Sequence, residues 1–509
     1  MTDAAVLLLH PSDDVVIARR PVTAGSEVRV DGQVVRVRQD VPRGHKLAVR
    51  PVRAQDAVRK YGQVIGFASQ DIAPGEHVHG HNLGMREFDR RYEFATDLRD
   101  PGRVAAPATF LGFRRADGRV GTRNYVAVIS SVNCSASVAS FVRDRFRTPE
   151  FARDFPHVDG VIAFNHKSGC CVQPGEPMEV LRRVHAGMAN HVNIAGFVMI
   201  GLGCEGNQVD QLRADYRLGQ AEGVPAAFMT IQQTGGVSRT VERAVEAVRG
   251  ILPVADRARR TPQPVSHLIL AENCGGSDGY SGITANPALG VAADELVRHG
   301  GTAVLGETPE IYGAEHLLTR RAVTPAVGEK LVRLIRWWED HARRFDATID
   351  NNPTPGNKAG GLTTIYEKSL GAVAKGGQSP LVEVYRYAEP ITAKGFVFMD
   401  TPGLDPVSMT GLVAGGATVG VFTTGRGSVY GCKPSPCIKV ATNTAMFDHL
   451  REDMDLNAGT IADGTETVAE VGARLFAKIV AVASGERTAS ERLGMGDEEY
   501  APWQLGPTF

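Results

Sequence analysis

The chain has 509 residues, of which 43% are hydrophobic and 22% are charged, and this composition is typical of a globular protein with about two to four domains. Its formal net charge of −1 gives no basic excess for nucleic acid or an anionic membrane, and no apolar run approaches the roughly 18–20 residues that span a bilayer. Residues 1–10 lack the basic start of a signal peptide and the seven cysteines fit no disulfide scaffold, so we expect a reducing, cytoplasmic location.

Residues 1–85 are predicted to form a small all-β domain. Short alternating segments such as Val15–Ala18, Glu27–Val30 and Val64–Ala68 are separated by glycines, which is typical of short strands joined by turns. Residues 86–111 are first charged and then contain proline and alanine, and this composition predicts a linker.

From residue 112 apolar runs alternate with helical stretches, and this order predicts a parallel sheet with right-handed crossovers. The predicted strands are 125–131, 160–164, 194–200, 225–230, 267–271 and 302–305, and the predicted helices are 136–147, 176–190, 208–222, 237–250, 287–299 and 327–346. We assign residues 112–350 to a catalytic α/β domain. Residues 351–509 are predicted to form a second α/β domain, which begins with the glycine-rich loop Asn351–Gly361 and has buried strands at 395–399 and 417–423.

Four of the predicted strands are followed by a glycine-rich turn that carries a cysteine. The cysteines are Cys134, Cys170, Cys204 and Cys274, and Cys171 follows Cys170. Ligands bind beyond the carboxyl ends of parallel strands, so these thiols are expected to meet at one edge of a sheet. With His166 they would form a soft ligand set for Fe(II), Zn(II) or an iron–sulfur cluster. The alternative is that they are buried as small hydrophobic side chains, which is common for free cysteines.

A group of histidines lies in the predicted β domain. His77, His79 and His81 alternate, so on a strand they share one face, and His45 lies in a separate Gly-His-Lys turn. Imidazoles in this arrangement suit a general base or a metal ligand. The alternative is a set of surface histidines on an edge strand.

Two loops offer cations to a substrate carboxylate. Lys358 lies among the backbone amides of the loop Asn352–Gly361, and Arg426 lies in a turn that follows a predicted strand. The alternative for Arg426 is an ordinary tight turn with a surface arginine. Cys432 and Cys437 form a CxxxxC pair, which is either a redox or metal-binding hairpin or a proline-shaped loop with two free thiols.

Several segments match a known family in sequence order. The motifs are Ser12–Ala18, Gly44–Lys46, Gly75–Asn82, Gly121–Asn124, Gly201–Glu205, Cys274–Pro287, Glu307–Glu315, Pro355–Gly361 and Glu367–Gly371. On these motifs the chain resembles the altronate/galactarate dehydratase family of sugar-acid hydro-lyases, with Glu307–Glu315 closer to the altronate branch. The resemblance implies an α/β fold in which a small N-terminal all-β SAF domain, of β-clip type, precedes Rossmann-like domains with parallel sheets.

The resemblance also implies a reaction. A sugar acid such as D-altronate or D-galactarate would lose water and give a 2-keto-3-deoxy acid, with a metal ion stabilising the enediolate. We expect Fe²⁺, with Mn²⁺ or an iron–sulfur cluster as alternatives, and its ligands are expected among Cys134, His166, Cys170, Cys204 and Cys274. The expected catalytic residues are His45, Lys46, His79 and His81, with a histidine as the base. The expected substrate contacts are Asn124, Ser277, Asp278, Asn357, Lys358 and Arg426.

Two other functions remain open on the sequence. A sulfo-lyase on the same scaffold would release sulfite, as in the family's sulfolactate relatives, and residues 166–171 and the pair Cys432 and Cys437 depart from the forms expected in altronate enzymes. A sugar-acid sensor would bind without turnover and use the same pair as a redox switch. A small sugar acid is the expected partner, without nucleic acid or membrane, and the chain is expected to be a homo-oligomer.

Overall fold

The computed structural model describes residues 4–88 and 90–506, and its N-terminal part forms the predicted small β domain. Its strands are β1 (Val6–Leu7), β2 (Val15–Ala18), β3 (Glu27–Val30), β4 (Gln33–Arg36), β5 (Lys46–Ala48), β6 (Ala57–Lys60), β7 (Gln63–Ala68), β8 (His77–Val78) and β9 (Leu83–Gly84). Strands β1, β2, β5 and β8 form one antiparallel sheet, β6, β7 and β9 form another, and β3 pairs with β4. Along β3 the two valines are buried and Glu27 and Arg29 are exposed, which is the alternation of a half-buried strand.

The segment predicted as a linker packs against the main body. Arg90 pairs with the carboxylate of Glu315 at 3.1 Å, and the Tyr92 hydroxyl donates to the same carboxylate at 2.7 Å. Phe94 lies over Gly328, where an added Cβ would be 2.4 Å from its ring. The segment therefore contributes contacts of its own rather than acting only as a flexible connection.

The second domain is built on a four-stranded parallel sheet of order β13-β12-β14-β15. Its strands, with a small side sheet of β11-β10-β16, are β10 (Thr109–Arg114), β11 (Val120–Gly121), β12 (Tyr125–Ser130), β13 (Gly160–Phe164), β14 (Ile194–Gly201), β15 (Ala226–Thr230) and β16 (Arg260–Pro264). Its helices are α1 (Asn133–Asp144), α2 (Phe151–Asp154), α3 (Glu176–Ala189), α4 (Val209–Asp215), α5 (Ile231–Thr234) and α6 (Val237–Ala255). Every residue of β12 and β14 is buried, because helices cover both faces of the sheet.

The third domain has a seven-stranded parallel sheet of order β19-β20-β18-β17-β21-β22-β23. Its strands are β17 (Ile269–Cys274), β18 (Thr302–Leu305), β19 (Leu381–Tyr385), β20 (Gly395–Met399), β21 (Val419–Thr424), β22 (Cys437–Ala441) and β23 (Leu456–Asn457). Its helices are α7 (Ala285–Arg298), α8 (Glu315–Thr319), α9 (Pro325–Arg344), α10 (Pro355–Ala359), α11 (Ile365–Val373), α12 (Asp405–Ala414), α13 (Thr444–His449), α14 (Thr460–Asp463), α15 (Val468–Ala483) and α16 (Ala489–Arg492).

The sheets correct the domain boundary predicted at residue 350. Strands β17 and β18 lie before that boundary but bond to β21 and β20, which lie after it, so the division falls between β16 and β17. The order of apolar runs along a chain does not encode which strands become neighbours, so the sequence pattern alone misplaced this division. Within the described residues, no helix combines the length and the apolar character needed to cross a bilayer.

The second and third domains pack together through helices α3 and α12. Helices α3 and α12 pack together near their carboxyl ends, where an added Cβ at Gly187 would be 2.2 Å from the carbonyl oxygen of Ala414. Near their amino ends, Glu176 at the start of α3 lines the same cavity as Asp400, which precedes α12. This contact joins the helical layers of the two sheets.

The β domain joins the third domain through a buried group of charges. The Lys46 ammonium donates to Glu367 at 2.8 Å and to the carbonyl oxygen of Gly361 at 2.6 Å, and the Lys60 ammonium donates to Glu367 at 2.9 Å. Burial opposes the ionised form of Glu367, but the two ammonium groups outweigh it and hold the pKa of this carboxyl well below its usual value. The backbones also meet closely, because a Cβ at Gly279 would lie 2.1 Å from the carbonyl oxygen of Gly44.

We expect the substitution Glu367→Gln to lower the free energy of unfolding by about 3–5 kcal/mol, because it leaves two buried ammonium groups without a carboxylate. Urea denaturation followed by circular dichroism measures the change. Asp340→Asn is the matched control, since Asp340 pairs with Arg343 at the exposed surface and its loss should cost less than about 1 kcal/mol. Equal effects of the two variants would contradict a central role for Glu367.

Candidate active site

Three histidines of the β domain contact each other beside the third domain. His45 Nδ1 lies 3.0 Å from His77 Nε2, and the His45 and His79 rings stack with centroids 5.1 Å apart. His45 Nε2 lies 3.3 Å from the carbonyl oxygen of Ala359, and His79 Nε2 lies 2.9 Å from that of Lys358. The histidines thus reach across the domain boundary to the loop that contains α10.

These contacts fix the protonation of the rings. A carbonyl oxygen only accepts hydrogen bonds, so Nε2 of His45 and Nε2 of His79 carry the protons. A neutral His45 then accepts at Nδ1 from His77 Nε2, which is the donor of that pair. His79 is left with Nδ1 as its acceptor atom.

Burial keeps these imidazoles neutral. It lowers the pKa of His45 to about 4, with the nearby His79 and Lys46 adding to the effect, and it lowers the pKa of His77 to about 3, with His45 and His79 adding to the effect. The pKa of His79 is also lowered, chiefly by burial. The three rings are therefore bases rather than cations at neutral pH.

The loop behind the histidines is anchored to the end of β17. Asn357 caps α10 by accepting from the Thr354 amide at 3.0 Å, and its own amide donates to the Ser277 carbonyl oxygen at 2.8 Å. Asp278 is buried and accepts from Ser281, Thr442, Asn443 and the Tyr280 amide. Asn357 and Asp278 therefore shape the site with side-chain atoms that are already engaged, whereas the Ser277 hydroxyl makes no hydrogen bond within the described residues.

Arg426 lies against the loop that carries Lys358. An added Cβ at Gly360 would be 3.0 Å from the Asp278 side chain and 3.3 Å from Cδ of Arg426, so the loop lies directly against both. The side chains of Lys358 and Arg426 make no hydrogen bond or ion pair with any residue in 4–88 or 90–506, and Arg426 is exposed. Neither cation forms an ion pair within the described residues, although the charge of Lys358 acts on Asp350, and both are suited to an anionic substrate.

A second group, here called the thiol–carboxylate cluster, consists of Cys274, Glu307 and Glu310 at the ends of β17 and β18. Their ligand atoms lie within 4.8 Å of each other, and no other trio of metal-ligating side chains in the described residues does so. Lys375 donates to Glu307 at 2.8 Å and to the Cys274 sulfur at 3.0 Å, while Lys368 pairs with Glu310. All five side chains are buried.

The cluster is rich in acids. Burial and the nearby carboxylates of Glu307 and Glu310 raise the pKa of Asp405, the first residue of α12, to about 8. Burial and Glu310 likewise raise the pKa of Glu307 to about 7. Burial and Glu307 raise the pKa of the Cys274 thiol. Glu307 also has a φ of +66°, a conformation that non-glycine residues rarely adopt and that is found at functional sites.

The other predicted thiols lie at the carboxyl edge of the second domain. Cys134 is in the first turn of α1, Cys170 and Cys171 follow β13, and Cys204 follows β14; all four are exposed. The sulfur atoms of Cys170 and Cys171 are 3.8 Å apart. The hydrogen bond to Cys170 and the charge of Cys170, with a smaller contribution from Cys204, raise the pKa of the Cys171 thiol.

Three predictions are corrected by these positions. Cys274 is grouped with Glu307 and Glu310 on the seven-stranded sheet, and within the described residues no three of the five predicted metal ligands lie within 4.8 Å of each other. His166 is buried, with Nε2 on the Ser130 carbonyl and Nδ1 accepting from the Ser168 amide, so neither nitrogen is available to a metal. Asn124 lies at the amino end of β12, and its side chain is occupied by the backbone of His157 and Ala255 and by Arg115.

Lys46 and His81 were predicted as catalytic residues, whereas the residues of the thiol–carboxylate cluster other than Cys274 were not predicted. Lys46 is fully buried on Glu367 and Gly361, so it positions the loop and does not face a substrate. His81 contacts the His77 ring at 5.6 Å between centroids. The sequence did not single out Glu307, Glu310, Lys368, Lys375 or Asp405. The available signal was a pair of glutamates three residues apart directly after a buried strand, as a parallel sheet would place at its functional edge.

The neutral histidines predict a pH dependence of stability. In the unfolded chain a histidine titrates near 6.5, above its folded pKa here, so the unfolded state binds more protons between about pH 4 and 6.5. We expect the free energy of unfolding to be highest above about pH 6.5 and to fall as the pH is lowered towards 4. His77→Gln should reduce this fall, measured as the difference between urea midpoints at pH 7 and pH 5.

The control for that experiment is His449→Gln, because His449 is exposed in α13. It should show the same difference between pH 7 and pH 5 as the unaltered chain. If His77→Gln also retained the full difference, burial of a neutral His77 would be excluded.

Comparison with protein families matches all three domains. Residues 4–86 match the altronate/galactarate dehydratase SAF domain, residues 112–256 the second domain of D-galactarate dehydratase/altronate hydrolase, and residues 265–508 the C-terminal domain of D-galactarate/altronate dehydratase. These limits agree with the sheets of the structure, including the division between β16 and β17.

Individual relatives cover nearly the whole chain. The altronate dehydratase of Bacillus subtilis strain 168 is 34% identical over 98% of this chain and 99% of its own length. The altronate dehydratase of Escherichia coli K12 is 37% identical over 95% and 96%, respectively. The galactarate dehydratase (L-threo-forming) of the same strain is 37% identical over 90% and 89%. The chain therefore belongs to the altronate/galactarate dehydratase family of hydro-lyases, as its sequence motifs predicted.

Proposed function

We propose that the chain removes water from a sugar acid such as D-altronate or D-galactarate and gives a 2-keto-3-deoxy acid. The observation that carries the proposal is the meeting of neutral histidines from the β domain with the unpaired cations Lys358 and Arg426, beside the thiol–carboxylate cluster. A base, a carboxylate contact and a group of metal-ligating side chains are the parts that such a dehydration requires.

The substrate carboxylate would bind to Lys358 and Arg426. A guanidinium matches the two oxygens of a carboxylate, and the exposed position of Arg426 leaves it open to a ligand from solvent. The carboxylate withdraws little electron density by itself, so fixing it also serves to place the adjacent C–H bond against the base.

His79 is the best candidate for the base. Its Nε2 proton is held by the Lys358 carbonyl, which leaves Nδ1 to accept a proton, and its lowered pKa keeps it neutral. His45 has both nitrogens engaged and instead orders the adjacent rings. In the reaction the C2–H bond breaks with its proton going to His79, and the electron pair forms the C2–C3 double bond as the C3–O bond breaks. The leaving hydroxide takes a proton from solvent to become water, His79 returns its proton to solvent, and the enol becomes the keto acid.

The thiol–carboxylate cluster fits a divalent metal ion. One sulfur and several carboxylate oxygens suit Fe²⁺ or Mn²⁺. The acids Cys274, Glu307, Glu310 and Asp405 outnumber the two ammonium groups of Lys368 and Lys375, so a cation of charge +2 would balance the ionised set. When bound there, the ion would supply Lewis acidity to the substrate oxygens and assist departure of hydroxide.

The experiment is a substrate screen on the full chain, purified without oxygen and supplied with Fe²⁺. We expect keto-acid formation from altronate, galactarate or a related aldonate or aldarate. Release of sulfite from sulfolactate without keto-acid formation from any sugar acid would replace the dehydratase by the sulfo-lyase. Thermal stabilisation by a sugar acid without turnover would replace it by the sensor.

The cytoplasmic location and the homo-oligomer stay predictions.

Two variants test the assigned roles. His79→Gln should lower kcat by about 10²–10⁴-fold, the usual contribution of a general base, while KM changes little. Arg426→Gln should raise KM, because it removes a contact made to the substrate before and during the reaction. Arg153→Gln is the matched control, since Arg153 is exposed on α2 of the second domain, where it pairs with Asp154. Unchanged kcat in His79→Gln would exclude this base.

A further inference from the structure

We propose that the second domain holds an iron–sulfur cluster through Cys134, Cys170 and Cys204. This site lies on the four-stranded sheet, apart from the thiol–carboxylate cluster, and the inference does not depend on the proposed reaction. Each cysteine comes from a different loop, at the carboxyl ends of β12, β13 and β14.

Hydrogen bonds hold the three loops against each other. The amide of Asn133, next to Cys134, donates to the Ser168 carbonyl oxygen at 2.9 Å. The amide of Gly206, in the turn that carries Cys204, donates to the carbonyl oxygen of Cys170 itself at 2.8 Å. Both bonds run between residues within two positions of a cysteine, so the three thiols are brought to one small area of the sheet edge.

Buried polar side chains shape these loops from below. Glu205 is buried and accepts from the amides of Leu202 and Gly203 and from the Ser131 hydroxyl at 3.0 Å, which ties the Cys204 turn to the end of β12. His166 links the Cys170 loop to the Ser130 carbonyl oxygen at 3.1 Å. The side chains of Glu205 and His166 are thus buried and hydrogen-bonded, while the three cysteines are exposed.

The three thiols are exposed and do not contribute to a hydrophobic core. Free cysteines are normally among the most buried residues, yet Cys134, Cys170 and Cys204 are all exposed. Within the described residues, neither Cys134 nor Cys204 has a hydrogen bond to its sulfur. Three exposed thiols on loops that are held in place from below are better explained by a ligand than by packing.

At least one pair among the three thiols is farther apart than the ligands of a single ion, and a cluster accommodates such a separation. Around one zinc ion the sulfur ligands lie roughly 3.8 Å apart, as follows from Zn–S bonds of about 2.3 Å in a tetrahedron. No trio of these thiols lies within 4.8 Å in the described residues. In an iron–sulfur cluster each thiolate binds a different iron, so the sulfurs stand farther apart, and thiolates are the ligands that such clusters use.

The test uses the full chain, purified without oxygen and incubated with ferrous iron, sulfide and a thiol reductant before desalting. We expect the chain to retain iron and acid-labile sulfide in equal amounts, more than one of each, with the broad visible absorption of a cluster and an electron paramagnetic resonance signal after reduction. Cys134→Ser, Cys170→Ser and Cys204→Ser should each lose most of the iron, the sulfide and the absorption.

Cys432→Ser is the control, because it removes a thiol on a loop of the third domain and should retain the cluster. Thermal midpoints equal to that of the control show that the three test variants are folded. Retention of iron without sulfide, tight binding of zinc instead, or full sulfide content in all three test variants would overturn the inference. Sugar-acid turnover is not the readout, so an active chain without sulfide rejects the cluster alone, and an inactive chain with sulfide rejects only the proposed reaction.

Discussion

The pairing of Glu367 with Lys46 and Lys60 is the interaction on which the candidate site depends. Three fully buried charges at a domain boundary are stable only together, because each would be costly to bury alone. Lys46 is adjacent in sequence to His45, and it also bonds to Gly361 at the end of the loop that the histidines touch. One charged contact therefore sets the distance between the imidazoles of the β domain and the cations of the third domain.

The two sides of the site differ in charge for a physical reason. The histidines are partly buried, so they remain neutral. The carbonyl oxygens of residues 358 and 359 determine that Nε2 carries the proton in His79 and His45. The acids at the ends of β17 and β18 are crowded in the interior and share only two ammonium groups. A neutral base, the half-buried Lys358 with the exposed Arg426, and a buried excess of acids are thus kept separate although they lie along one loop, residues 352–361.

Much of the fold was predictable because buried parallel strands are local features. The runs 125–131, 160–164 and 194–200 match β12, β13 and β14 within a residue. The neighbour relations were not predictable, and Cys274 was therefore grouped with thiols of another sheet. Glu307, Lys368 and Lys375 come from three separate segments and meet only after the sheet has formed. His166 looked like a ligand, yet backbone groups that no residue pattern reveals occupy its nitrogens.

The contacts between the β domain and the third domain are made by side chains and close backbones, not by the peptide that joins them. Lys46, Lys60, His45 and His79 reach the third domain directly, and Arg90, Tyr92 and Phe94 of the connecting segment add contacts of their own. The peptide connection then serves to raise the local concentration of the β domain near the third domain. The same architecture permits gene fission, in which a short polypeptide carrying the imidazoles assembles with a longer one carrying both parallel sheets.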